Sequence, residues 1–159
     1  MIRLAKESDI STLLKIYDAA KKYMHENGNP TQWTGKYPDE ETLTDDIKKN
    51  QLFVAEESGL IYGCFALIEG EDPTYGYIDG EWKSNAPYGT IHRIASSRIK
   101  KGLFDECVNF ARTRYNHLRV DTHEDNKPMQ SVALKNGFEY VGIIYLADGS
   151  PRRAYEWLK

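Results

Sequence analysis

The sequence predicts a single α/β domain of the α+β kind over residues 1–159, with a mixed central sheet of six to seven strands flanked by about four helices. Three observations lead there. The length suits one hydrophobic core of ordinary size, large enough to fold without disulfide or metal staples. Hydrophobic residues make up 40% and charged residues 28%, the balance of a globular chain. The apolar period then switches between 2 and 3.6 along the chain, in the order β-α-α-β-β-loop-β-α-β-α-β-β.

Residues 1–4 form a short first strand. Ser8 or Asp9 caps a helix whose stripe is Ile10, Leu13, Leu14, Tyr17, Ala20 and Met24, stopped by Asn27-Gly28-Asn29-Pro30. A loop carrying Trp33 follows, and a second helix starts at Pro38-Asp39 with Leu43 and Ile47 facing inward. Residues 52–55 and 60–68 pair as a hairpin around Glu57-Ser58-Gly59. Residues 69–88, rich in Gly, Pro and acids, read as a long loop with a short strand near residues 75–78; loops of this length usually carry function. A strand over residues 89–96 leads to a helix over residues 103–115, whose stripe is Leu103, Phe104, Cys107, Val108 and Ala111. Residues 118–123 alternate as a strand. A helix over residues 126–135 ends at Asn136-Gly137, and two strands close the chain around Asp148-Gly149-Ser150-Pro151.

Charge and cysteine usage exclude several classes. Twenty-one Lys and Arg against 24 Asp and Glu leave a net charge of -3, without the basic excess of a nucleic-acid binder. No apolar run is long enough for a membrane span, and Arg3, Lys6, Glu7 and Asp9 deny the N-terminus the character of a signal peptide. Cys64 and Cys107 each lie in an apolar run, as buried free thiols do. These features predict a cytoplasmic protein, monomer or homodimer, with no nucleic-acid or membrane partner. A Cys/His hydrolase would need one of those thiols beside an activating histidine, which core placement disfavours.

Two fragments of the second half narrow the reading. Ile91-His92-Arg93-Ile94-Ala95-Ser96 resembles the central strand L-x-x-L-A-V of the GNAT superfamily of N-acetyltransferases. Asn126, Gly137 and Phe138 fall at the spacings of that family's N-x-x-A-x-x-x-Y-x-x-x-G-F helix. The resemblance covers most of the chain. It implies a GNAT-like sheet splayed between the strand ending at Ser96 and its neighbour beginning near Leu118. It also implies acetyl-CoA as acyl donor, no metal, and a primary amine of a small molecule or peptide as acceptor. The same fold could instead serve as a catalytically weak acyl-CoA-binding or regulatory module. Two departures stand out. The phosphate loop, usually [QR]-x-x-G-x-[GA], is reduced to Ser96-Ser97-Arg98-Ile99-Lys100-Lys101-Gly102. Ala133 occupies the position where the family often places the tyrosine that protonates the leaving thiolate.

The chemistry of the reaction selects the residues. Pantetheine amides can pair with a free strand edge, so the backbone at Ile94, Ala95 and Ser96 is expected to hold the donor's arm and its thioester. The pyrophosphate wants a helix N-terminus, here Gly102-Leu103-Phe104, with Arg98, Lys100 and Lys101 adding charge. Asn126 caps its helix and, by the resemblance, touches the pantetheine arm. His92 is the candidate base, with Glu81 second; His123 and Glu124 stand near the donor. The acid is left open between Tyr140, Tyr145 and water. Tyr23, Trp33 and Trp82, with Tyr37, Glu71, Asp72 and Asp79 nearby, suit a cationic amine through aromatic faces and carboxylates.

Overall fold

Local capping decides where the first elements begin. β1 (Ile2–Leu4) runs through a 3-10 turn at Glu7–Asp9 into α1 (Ile10–Glu26). The cap was expected at Ser8 or Asp9. Asp9 is the residue that precedes α1, but its side chain makes no cap bond to that helix and instead closes the 3-10 turn, accepting from the Lys6 amide at 2.8 Å and from the Arg3 guanidinium at 2.8 Å. α2 (Glu40–Lys48) is capped by Asp39, which accepts from the Thr42 amide at 2.9 Å. Pro38 therefore precedes the helix instead of occupying its first turn. The hairpin of β2 (Leu52–Glu57) and β3 (Leu60–Glu69) closes through Ser58 and Gly59, both left-handed with φ of 52° and 78°. That pair of positive angles is what a two-residue hairpin turn demands.

The second half continues through β4 (Asp79–Gly80), β5 (Gly89–Ser96), α3 (Leu103–Arg112), β6 (His117–Thr122), α4 (Lys127–Lys135), β7 (Glu139–Tyr145) and β8 (Pro151–Leu158). The structure, a computed structural model, describes residues 1–159. It contains one sheet of eight strands in the order β1-β2-β3-β5-β6-β8-β7-β4, with β5 and β6 parallel and the other pairs antiparallel. The short strand expected near residues 75–78 lies instead at β4, after a 3-10 turn at Pro73–Tyr75. It nests on a bulge of β7 where Gly80 and Gly142 meet; a Cβ on Gly80 would stand 2.2 Å from the Val141 carbonyl oxygen.

Both faces of the sheet are covered. α3 and α4 pack with Phe65, Ile91, Phe138 and Tyr155 on one face, and α1 and α2 pack with Val54, Cys64 and Ala95 on the other. A third cluster joins Tyr75 and Tyr88 to Ile144 and Ala154, so the long loop contributes to the core, contrary to its irregular sequence. A buried carboxylate explains how. Glu156, 1% exposed, accepts from the Lys83 amide at 2.7 Å and pairs with His117 at 2.5 Å, while Arg119 donates to the Ser84 carbonyl. Buried charges persist when they are bonded in this way. No helix is long and apolar enough to cross a membrane.

Candidate active site

β5 and β6 pair only at Gly89 with Leu118 and Thr90 with Arg119. Beyond those two residues the strands part, and β5 from Ile91 to Ser96 keeps β3 alone as a neighbour. The expected splay is present. Its open edge carries backbone groups with no strand across from them, and such groups need partners.

A bulge sits in the middle of that edge. Cys64 pairs with Ala95 and Ala66 with His92, so Phe65 faces two residues, Arg93 and Ile94. Arg93 absorbs the extra residue at φ 50°, a left-handed angle uncommon outside glycine. Its carbonyl accepts from the buried Tyr17 hydroxyl at 2.6 Å, and its guanidinium grips Asp46 of α2 at 2.8 and 2.9 Å. Strict alternation places His92 and Ile94 on one face and Arg93 on the other. The bulge changes this: His92 and Arg93 both face the α1–α2 side, and Ile94 packs beside Ile91 on the α3 side.

His92 is held between two carboxylates. Its Nε2 lies 3.0 Å from Asp72 Oδ2 and its Nδ1 3.9 Å from Asp121 Oδ2. Asp121 accepts from the buried Tyr75 hydroxyl at 2.6 Å, and burial beside that carboxylate raises the Tyr75 pKa well above the usual phenol range. Burial pushes the Asp72 carboxyl up, but hydrogen bonds from His92 and Thr74 overcome it and hold it down at about 2. The imidazole and both acids open into a cavity of about 660 Å³. Trp33, Tyr37, Ile94, Asn126 and Arg152 line its other walls.

The strap between α1 and α2 closes over this cavity. Thr31 Oγ1 lies 2.8 Å from His123 Nε2, and Gln32 accepts from Asn126 Nδ2 at 3.2 Å. Asn126 also caps α4, accepting from the Met129 amide at 3.2 Å. At the far side of the fork, Gly102 enters α3 with φ 86°, and the amides of Leu103, Phe104 and Asp105 precede the first intrahelical bond, from Glu106 to Gly102. Gly63 lets α3 approach the sheet closely; a Cβ there would stand 2.6 Å from Leu103 Cδ2. The side chains of Leu103 and Phe104 point into the core, leaving only their amides for a ligand.

The structure brings His92, Ile94, Trp33 and Asn126 together around one cavity and sets Ala95, Ser96 and the Gly102 turn along the fork. Other assigned residues lie elsewhere. Glu81 is exposed at the far edge of the sheet, its amide bonded to the Val141 carbonyl. Trp82 stacks on Arg119, with 3.8 Å from guanidinium to ring, and donates to the Tyr75 carbonyl, a packing role. Tyr23 supports Arg98 at 3.6 Å, on the phosphate-loop side. Lys100 leans on Tyr62 and pairs with Glu106 at 3.4 Å, whereas Lys101 is exposed. Tyr140 and Tyr145 stand outside the cavity, against Tyr155 and Tyr77. Glu124 is exposed. Asp121 went unassigned in the sequence, although it shares a strand face with His117 and Arg119 and so points away from α4. The thiols are core residues: burial pushes Cys64 up to about 12 and Cys107 well above the usual thiol range, so neither supplies a thiolate near neutrality.

No protein-family model and no curated protein matches this sequence. Solved structures do match. A GNAT-family acetyltransferase from Streptococcus agalactiae is 31% identical with TM-score 0.88, the alignment covering 100% of this chain and 95% of that one. A GNAT-family acetyltransferase from Listeria monocytogenes shares the fold at 19% identity and TM-score 0.73, covering 100% and 94%. A Bacillus subtilis acetyltransferase, solved in complex with CoA, shares it at 14% identity and TM-score 0.65, covering 99% and 97%. The parted strands, the helix N-terminus beside them and the full-length likeness to the streptococcal enzyme lead to one conclusion: this chain is an acyltransferase and belongs to the GNAT family of acetyltransferases.

Proposed function

We propose that this protein transfers the acetyl group of acetyl-CoA directly to the primary amine of a small molecule or peptide, with His92 as the base. The single observation that carries the reading is the fork at Thr90 and Arg119 opening beside the His92–Asp72 pair. The residues present fit the donor. The unpaired edge of β5 offers N–H and C=O groups to the pantetheine amides, and the amides of Leu103, Phe104 and Asp105 suit a pyrophosphate. Arg98 and Lys101 add positive charge there. Acetyl-CoA supplies an activated acetyl group; the chain supplies position and proton traffic.

An incoming ammonium is drawn to Asp72 and Asp121 and loses its proton to His92, directly or through one water. Asp72 receives the Nε2 hydrogen and so fixes the ring, leaving Nδ1 as the accepting atom. Trp33 and Tyr37 give the amine aromatic walls. Ala133 is fully buried, and Tyr140 and Tyr145 stand outside the cavity. Water is therefore the acid of the three that can reach the departing thiolate, whose pKa near 8.5 makes it a tolerable leaving group at neutral pH. Incubation with acetyl-CoA and a panel of primary amines, following CoA release with a thiol-reactive dye, tests the proposal. Amine-dependent release supports it, and no release from any amine rejects it.

A further inference from the structure

We infer that the acceptor carries an anionic group, a carboxylate or a phosphate, close to its amine, and that Arg152 binds it. The inference rests on the acetyl-transfer reading and deepens it. Arg152 is 9% exposed and lines the cavity. Its one hydrogen bond goes to the neighbouring Pro151 carbonyl at 3.0 Å, and no carboxylate lies within the 4.0 Å of an ion pair. Asp148, also on the cavity wall, directs its carboxylate to the Ser150 amide and hydroxyl at 2.9 and 2.6 Å. The other cavity arginine, Arg93, is paired twice over with Asp46 and bonded to Tyr37. The remaining donors of Arg152 are therefore unpaired by protein and open to the cavity, where their planar fork suits a ligand carboxylate or phosphate.

The sheet places that charge where an acceptor would reach it. Arg152 alternates with Ala154, whose neighbours are Tyr75 and Ile144, so it projects from the same face as Asp121 and His92 and away from α3. Asp121 pairs with Ala154, which makes Arg152 its diagonal neighbour, roughly 7–8 Å away along the backbone. An ammonium held by Asp72 and Asp121 and an anion held by Arg152 are thus ends of one small molecule, such as an amino acid or a phosphorylated amine. The pyrophosphate turn at Gly102 lies on the other side of the fork and has its own donors.

Paired acceptors test this. L-leucine is compared with 3-methylbutylamine, and phosphoethanolamine with ethanolamine, in wild type, Arg152→Gln and Arg152→Lys. In the wild type, kcat/KM favours the anionic member of at least one pair by tenfold or more, and the pair that responds tells carboxylate from phosphate. Arg152→Gln lowers that ratio by about 10–100-fold, the loss expected for a charged hydrogen bond, and Arg152→Lys recovers part of it. Equal rates within both pairs, or a ratio unmoved in Arg152→Gln, overturns the inference while leaving acetyl transfer intact. Calorimetry with CoA gives a separate reading: an equal Kd in wild type and variants is expected, and a weakened one assigns Arg152 to the donor and overturns the inference. Should no amine turn over, titration with leucine and phosphoethanolamine decides. Binding lost in Arg152→Gln, with the thermal midpoint kept in Arg152→Lys, supports it, and flat titrations of the wild type overturn it.

Discussion

Asp72 turns His92 from a solitary strand histidine into half of a pair. The role proposed for the imidazole predicts that His92→Ala lowers kcat by roughly two to four orders of magnitude, while the Kd for CoA stays constant. An unchanged kcat removes His92 from the chemistry. Asp72 both draws the ammonium and positions His92, and Asp72→Asn separates those roles from a structural one. The Asn keeps an oxygen for the Thr74 amide but offers His92 Nε2 no carboxylate. We expect kcat to fall about 10–100-fold with a shifted pH profile, as for outer partners of a working histidine. Stability carries a sign that can be checked. The folded carboxyl sits at about 2, below its ordinary 3.8, so its stabilisation is complete above pH 4 and disappears as pH falls toward 2. That depression corresponds to about 2 kcal/mol. The stability gap between wild type and Asp72→Asn, read by denaturant unfolding, should therefore narrow on acidification; a gap that widens contradicts the assignment.

At the level of the element, the bulge in β5 decides which side chains meet. Asp46 is 2% exposed and holds Arg93 from α2, while Tyr17 of α1 holds the Arg93 carbonyl. Removing one partner of a buried pair leaves an uncompensated charge, so Asp46→Ala should destabilise the fold by about 3 kcal/mol in denaturant unfolding. A loss below about 1 kcal/mol would mean that water replaces the carboxylate at Arg93. The bulge also shows where sequence reading stops. The strand, its bounds and the presence of His92 in it were legible from apolar alternation. The slipped face was not, because its cause is a pair separated by 47 residues and a positive φ on an arginine, neither of which leaves a local signature. Asn126 was legible for the opposite reason: a cap is written within three residues, and its bond to the Met129 amide follows from that spacing. Tyr23 and Trp82 read in the sequence as aromatics near acids; in the fold they stack on Arg98 and Arg119, long-range partners that no local pattern announces.

For the whole molecule, the order of helices and major strands could be read from periodicity and turn residues. The position and pairing of β4 could not, since it is two residues long and defined by the approach of Gly80 to Gly142. The fork was expected only through the family resemblance, because no residue type marks where two parallel strands stop pairing. Its consequence is measurable in solution. In the free protein, amides of β5 that face β6 beyond Thr90 have no sheet partner, whereas β2 and β3 pair along their whole length apart from one bulge at Ala55 and Glu56. Hydrogen exchange over residues 91–96 should therefore contain a fast population that CoA protects. A ligand at 100 times its Kd also stabilises the entire fold by about 2.7 kcal/mol, which slows globally exchanging amides everywhere. The two effects are distinguishable by place. Pantetheine lying in the fork adds local protection to peptides spanning 91–96 and 120–126, and the pyrophosphate adds it to 98–106. Amides of 52–68 slow only by the global increment. Protection rising equally across all peptides would mean that CoA leaves the parted strands untouched, and the placement of the donor, with the base assignment built on it, would have to move elsewhere on the sheet.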